Sequence, residues 1–520
     1  MTQGPGVAHQ LTARARASWG IAAVALLVLL TLLIYEPWVD RGFDIADFSE
    51  FQPILEAHET VLGRYSALVD YYATHGRWNA LSYAFLSLKW SLLGPNPVAW
   101  QWLRFFQMTL ILVMLLGILS ALRLRAAAAL SATAIFALSG AAVNSYIRLT
   151  LGEPLAVSCF LLAILLSISY QRSSGWRLSA PAIALLLGGI VAAKEVLVLL
   201  VPFVLLIALA WGGEGWTKPV RSRRNAHLLI WSFGSIGVSS VFVVLALLRQ
   251  DPDAFVSEYG AAPGGIVQLA ALAAYMAMPV HRAIPSPFFM MLYPGNLILL
   301  VLLLATAVLW WRGRGRSDWV TVAASIGMPI IGAIVYSPWP SIGEFYALPF
   351  VLGTAMLVAI SLHYAVVSDR RIGWAASSLA IVAIAYCAVA ADASAKARFA
   401  QRVIHNRAVG LIATASYADT VVVETRNGSG VWRDLTATLE RAAHNRSTAP
   451  IPPVVAKACA DSTDNGTASS LILIFPPDCS GHTPSQTVAS RFRLLNWASL
   501  RWMTDSAAFG VRRIALRDPT

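Results

Sequence analysis

The chain has 520 residues, 57% of them hydrophobic and only 13% charged, with a mean hydropathy of +0.63. No soluble globular domain needs so much apolar sequence, and apolar runs of about 18 residues, each able to cross a hydrocarbon core of about 30 Å, recur along it. The formal charge of +12 does not point to nucleic acid, because the basic residues fall in short clusters between apolar runs, where they act as topology signals.

The first apolar run, residues 19–35, follows Arg14 and Arg16. It is long for a signal-peptide core, and Tyr35-Glu36-Pro37-Trp38 is a poor cleavage site, so the sequence predicts a retained span. A long polar loop follows, about 37–101. Spans are predicted at 18–36, 103–122, 127–145, 153–170, 178–193, 196–211, 228–248, 293–311, 319–336, 350–367 and 374–391, about 11 in all. Loops on one side carry 15 basic residues, among them Arg123, Arg125, Arg223, Arg224, Arg370 and Arg371. The short loops on the other side carry four: Arg148, Lys194, Arg249 and Arg282. That bias puts the N-terminus in the cytoplasm and, with an odd number of spans, the C-terminus outside. Arg outnumbers Lys by 34 to 5 and Ala is abundant, as in GC-rich bacteria, so the expected location is the bacterial inner membrane. Residues 76–93 and 264–292 are apolar but interrupted, and read as interfacial or re-entrant pieces.

The tail differs. Residues 419–424, 470–475 and 510–516 read as strands, residues 432–444 as an amphipathic helix, and Thr448 to Pro453 as a connector. The expected fold is therefore mainly α: a polytopic helical membrane module over 1–391, then a small extracytoplasmic α/β domain over 392–520. Cys159 and Cys387 sit in apolar runs, whereas Cys459 and Cys479 lie in the tail and could pair if it faces an oxidising compartment.

Three constellations could carry chemistry. Asp44 and Asp47, in Phe43-Asp44-Ile45-Ala46-Asp47, are three apart and share a helix face, so either carboxylate could act as a general base beside the membrane. A solvated helix start is the bland reading. Arg148 and Glu153 lie in a short loop, with Glu153-Pro154 at a helix mouth that would stabilise an acid. They are either a cap with a salt bridge, or a phosphate grip with an acceptor-binding acid. Lys194-Glu195 is a charged pair between two apolar runs, where charge is costly and often functional. It could also be a self-neutralising pair in a tight hairpin. Weaker candidates are His58, Arg77, Arg104, His281 with Arg282, and Glu344-Phe345-Tyr346. No phosphate-binding Gly-rich loop, HExxH, zinc-type Cys/His spacing or GxSxG is present.

With these residues in place the chain resembles the type-C membrane glycosyltransferases, which use polyprenyl-phosphate sugars. The resemblance is one of architecture: an inside N-terminus, an acid-bearing first outer loop, many spans and a soluble tail. It implies inverting transfer from a polyprenyl-phosphate-linked sugar to a hydroxyl of a glycan, lipid or protein acceptor in or at the membrane lipid. It implies Asp44 or Asp47 as base and Lys194 at the donor phosphate; Arg148 or Arg282 is expected to join Lys194 there, with Glu153, Glu195, Arg77 and His281 in acceptor-binding or supporting places. The adjacent acidic pair of some members is absent. No cofactor is implied, and a divalent metal is not excluded. Two other readings stay open: an O-antigen ligase or polymerase, which would lean on His281-Arg282, and a lipid-linked glycan flippase, which predicts inverted repeats that the sequence does not display.

Overall fold

The computed structural model describes residues 21–40, 42–43, 45–74, 77–172, 179–211, 223–249, 273, 276, 316–337, 344–368 and 370–413, together with strand residues 420–425, 454–458, 470–475 and 510–515. The first helix is α1, Ile21–Tyr35. Three short helices follow: α2 (Ile45–Ala57), α3 (Val61–Thr74) and α4 (Ala80–Leu93). The membrane helices continue with α5 (Pro97–Ala121), α6 (Ala126–Ala137), α7 (Gly140–Ile147), α8 (Glu153–Arg172), α9 (Ser179–Ala193), α10 (Val201–Trp211), α11 (Arg223–Leu248), α12 (Arg316–Tyr336), α13 (Leu348–Ser368) and α14 (Arg370–Ala413). Short 3-10 turns, Glu195–Leu200 and Glu344–Ala347, precede α10 and α13.

The chain is a multi-pass helical membrane protein. Among the described residues six helices are long and apolar enough to cross a bilayer, or seven if α6 and α7 count as one bent span. The expected count of about 11 is therefore not reached there. The runs at 18–36, 178–193 and 196–211 form α1, α9 and a 3-10 turn leading into α10, with apolar helical parts Ile21–Tyr35, Ala180–Ala193 and Glu195–Leu206 of 10–17 residues among the described ones. The run at 293–311 lies outside the described residues.

Local chemistry explains two departures from expectation. Helix α5 starts at Pro97 rather than near 103, because Asn96 accepts a hydrogen bond from the Ala99 N–H (3.1 Å) and Pro97 occupies the first helical position. The run at 127–145 breaks into α6 and α7, bent by 55°. Ser139 is extended (φ −70°, ψ 153°), and its Oγ accepts from the Ala142 N–H at 3.2 Å, which restarts the helix in a new direction.

The loop helices α2 to α4 have their own small core of Phe43, Leu55, Leu68, Tyr72, Tyr83, Leu86, Trp90 and Trp100. Leu149, from the α7–α8 loop, is the distant residue locked into it. The first loop is thus a packed cap, and residues 76–93 contribute α4 to it. Helix α14 runs without a break through Ala391 and Asp392, so the expected boundary falls inside it. Beyond it lies a sheet in the order β2-β1-β3-β4, formed by Val454–Ala458, Thr420–Thr425, Ser470–Phe475 and Gly510–Ala515. Strand β1 pairs in parallel with β2 and β3, and β3 pairs antiparallel with β4. Strand β2 was not expected; it follows Pro452-Pro453 and is only five residues long. Residues 432–444, Cys459 and Cys479 lie outside the described residues.

Candidate functional site

A cavity of about 490 Å³ lies where the loop helices meet the ends of α7, α8, α9 and α13. Four candidate residues line it together: Arg77, Arg148, Glu153 and Lys194. They come from chain positions up to 117 residues apart in number, Arg77 to Lys194, and the fold gathers them at one place.

The Arg148 loop explains how. Helix α7 ends when the Arg148 N–H donates to the Asn144 carbonyl and Arg148 turns extended (φ −81°, ψ 112°). In extended chain successive residues alternate in direction. Leu149 goes into the cap core, while Arg148 and Thr150 line the cavity. The loop carbonyls are held from behind by buried cations. Lys89 Nζ donates to Leu149 O at 2.8 Å, and Arg104 Nη2 donates to Leu149 O at 2.9 Å and Leu151 O at 3.1 Å. Lys89 lies over the Trp100 ring, 4.0 Å from its centroid. Burial pushes its ammonium well below the usual lysine range, and the neighbouring Arg104 pushes it the same way. Arg104, noted in the sequence as a weak site candidate, is a brace.

Gly152 then admits close approach. A Cβ there would overlap Ser82 Oγ and stand 2.9 Å from the Ala193 carbonyl, and Ser82 Oγ itself donates to that carbonyl at 2.7 Å. Three segments are drawn together, and the residues after Gly152 and Ala193 are Glu153 and Lys194. Glu153 is buried at the start of α8, and Lys194 Nζ stands 3.3 Å from its Oε1, with side chains 9% and 2% exposed. Lys194 also faces the Tyr346 ring at 5.1 Å, and the Arg148 guanidinium faces Phe345 at 4.7 Å. Burial works against the Lys194 charge, but Glu153, Tyr346 and Glu195 outweigh it and hold the ammonium above its ordinary value. Burial raises Glu195, against the pull of Lys194, and its Oε2 is buried without a hydrogen-bond partner among the described residues.

Three cations, Arg77, Arg148 and Lys194, thus face a cavity whose own acid is Glu153, with Glu195 beside it. Clustered cations favour an anionic group, and the aromatic side chains of Phe51, Tyr72, Tyr83, Phe345 and Tyr346 line the cavity with them. Asp44, His281 and Arg282 lie outside the described residues, as does the side chain of Asp47, which sits in the first turn of α2. Reading the sequence missed Lys89 and Arg402. Lys89 had a signal, a lone cation in an otherwise apolar stretch, which is expensive unless it has acceptors, whereas Arg402 stands among other charged residues and had none.

No protein-family model matches the chain, and no curated protein matches it. Among solved structures it is similar to ArnT from Cupriavidus metallidurans bound to undecaprenyl phosphate, at 13% identity and a TM-score of 0.44 over 89% of this chain and 93% of that one. It is also similar to the arabinofuranosyltransferase AftD from Mycobacteria, at 13% identity and a TM-score of 0.37 over 88% of this chain and 35% of that one, so it spans about a third of that protein. At these distances the likeness is one of general architecture and carries no residue's role across.

Proposed function

We propose that the chain is a membrane glycosyltransferase that moves a sugar from a polyprenyl-phosphate donor to an acceptor hydroxyl. The observation that carries this reading is the cavity walled by Arg77, Arg148 and Lys194 beside the loop helices. The resemblance of the sequence to type-C glycosyltransferases supports it. A volume of about 490 Å³ falls within the usual range for a small-molecule site and takes a sugar with its phosphate, leaving the prenyl chain to the membrane.

In this reading Asp44 or Asp47 takes the proton from the acceptor hydroxyl. The hydroxyl oxygen bonds to the anomeric carbon as the bond to the phosphate oxygen breaks, and the electron pair leaves with the lipid phosphate. Lys194 and Arg148, with Arg282 as a further candidate, stabilise the charge that grows on that oxygen. The leaving phosphate is already a good anion, so cations matter more than a general acid. One displacement inverts the anomeric centre. The reaction takes place on the outer side of a bacterial inner membrane, with the N-terminus inside and the tail, a small α/β domain, in the periplasm. Glu153 and Glu195 tune the cations, and Arg77 and His281 support the acceptor.

The test is transfer of radiolabelled sugar from a pool of polyprenyl-phosphate sugars into membranes, comparing wild type with Asp44→Asn/Asp47→Asn. Transfer by wild type and its loss in the folded double variant is expected. A fully active double variant would remove the first-loop base, and no transfer from any donor by wild type would overturn the reading.

A further inference from the structure

Helix α14 continues past the span expected to end at residue 391, as far as Ala413, and two of its side chains reach back to backbone carbonyls that each immediately precede a candidate site residue. Asn406 Nδ2 donates to the Phe43 carbonyl at 2.8 Å and to the Arg402 carbonyl at 2.9 Å. Phe43 immediately precedes Asp44 and the start of α2. The fit is close: Gly42 has φ +70°, and a Cβ there would stand 2.9 Å from Asn406 Nδ2. The Gly42 N–H donates to Asp40 Oδ1 at 2.9 Å, so this turn is held from both ends. One turn earlier on α14, Arg402 is 3% exposed, and its Nη1 points to the Ile147 carbonyl at 3.5 Å. That carbonyl belongs to the last turn of α7, where carbonyls lack helical partners and a cation is favoured. Arg148 is the next residue.

We infer that Asn406 and Arg402 are positioning residues: α14 uses them to set the Asp44-bearing segment and the Arg148-bearing loop against each other. Neither touches the cavity. The claim rests on the proposed reading for its kinetic half only. The two ties act on different steps, since Phe43 leads to the candidate base and Ile147 leads to a donor-phosphate cation.

The experiment is hydrogen–deuterium exchange on the full-length protein in detergent, with Asn406→Asp and Arg402→Met. Asn406→Asp keeps the shape and removes the donor. Exchange is expected to rise about tenfold over residues 42–57 in that variant and to stay unchanged over 145–153, with the reverse in Arg402→Met. Asn406→Ala is read in the same way if the aspartate does not accumulate. No change in either segment, or an equal rise throughout the protein, overturns the inference whether or not the protein transfers sugar. In the transfer assay Asn406→Asp is expected to lower kcat about tenfold at constant donor KM, and Arg402→Met to raise donor KM about tenfold. Equal losses in both parameters for both variants would mark the ties as merely structural. Absence of transfer by wild type would sink the glycosyltransferase reading, and exchange alone would then decide whether the ties hold.

Discussion

Replacing Lys194 by Met separates the two jobs that the Lys194–Glu153 pair performs. The ammonium and the carboxylate are 3.3 Å apart with side chains 9% and 2% exposed, so neither charge has much water to fall back on. Lys194→Met keeps the apolar stem and strands Glu153. Breaking a buried pair from one side costs about 3–5 kcal/mol. The variant's melting temperature in detergent should fall accordingly. Adding Glu153→Gln removes the stranded charge and should recover most of the loss. Donor affinity behaves differently. A charge-assisted contact to phosphate contributes about 1.5–3 kcal/mol, or roughly 10–150-fold in Kd, and the double variant cannot regain it. Glu153→Gln alone should tighten donor binding, because it frees the ammonium from a competitor. The assay pairs melting curves in detergent with titration of a fluorescent polyprenyl-phosphate analogue. Recovery of donor affinity along with stability in the double variant would refute the argument and leave Lys194 as a structural partner.

Glu195→Gln probes the other acid: burial raises the Glu195 carboxyl, so its stability contribution is whole below the ordinary carboxylate value and drains away as pH climbs through the raised one. The variant should therefore melt higher than wild type at pH 8 and match it near pH 4, and identical curves at both would show the carboxylate to be well solvated. Gly152→Ala should cost about 1–3 kcal/mol and raise donor KM, since the Ala193 carbonyl cannot retreat from the new methyl, and Ser82→Ala should rescue only the part due to the hydroxyl. Normal melting and kinetics in Gly152→Ala would mean the loop gives way freely. Arg104→Met leaves Leu151 O without this donor and should lower stability by about 1–3 kcal/mol, read as a shifted melting midpoint; an unchanged midpoint would show that Lys89 alone braces the loop.

Much of the site was legible because membrane burial makes charge conspicuous. Arg148, Glu153 and Lys194 interrupt apolar runs, and the cavity joins all three with Arg77. What sequence could not convey was pairing across distance. Arg104 read as a possible ligand, yet it is bonded to carbonyls some 45 residues away in number. Asn406 offered no signal, since a lone amide on a helix is ordinary; its role comes from where Phe43 lies. The fold was legible where periodicity was strong and less so at breaks. Ser139-Gly140 contains the cap that splits one predicted span in two, a weak pattern inside a run otherwise long enough to cross. Val454–Ala458 is too short to stand out beside two prolines.

The far half of α14 keeps one face turned inward: Ala395, Phe399, Arg402, Val409 and Ile412 are all buried, at spacings of three, four or seven. Such a stripe fixes rotation as well as height. Each residue advances a helix by about 1.5 Å and turns it by about 100°. One residue inserted near position 397 would swing Arg402 and Asn406 to a foreign side while lifting them hardly at all. Seven would restore the facing but raise the ties by about 10 Å, beyond their acceptors. The part of α14 between Ala391 and Arg402 is therefore intolerant of any change in length, in the manner of a keyed shaft.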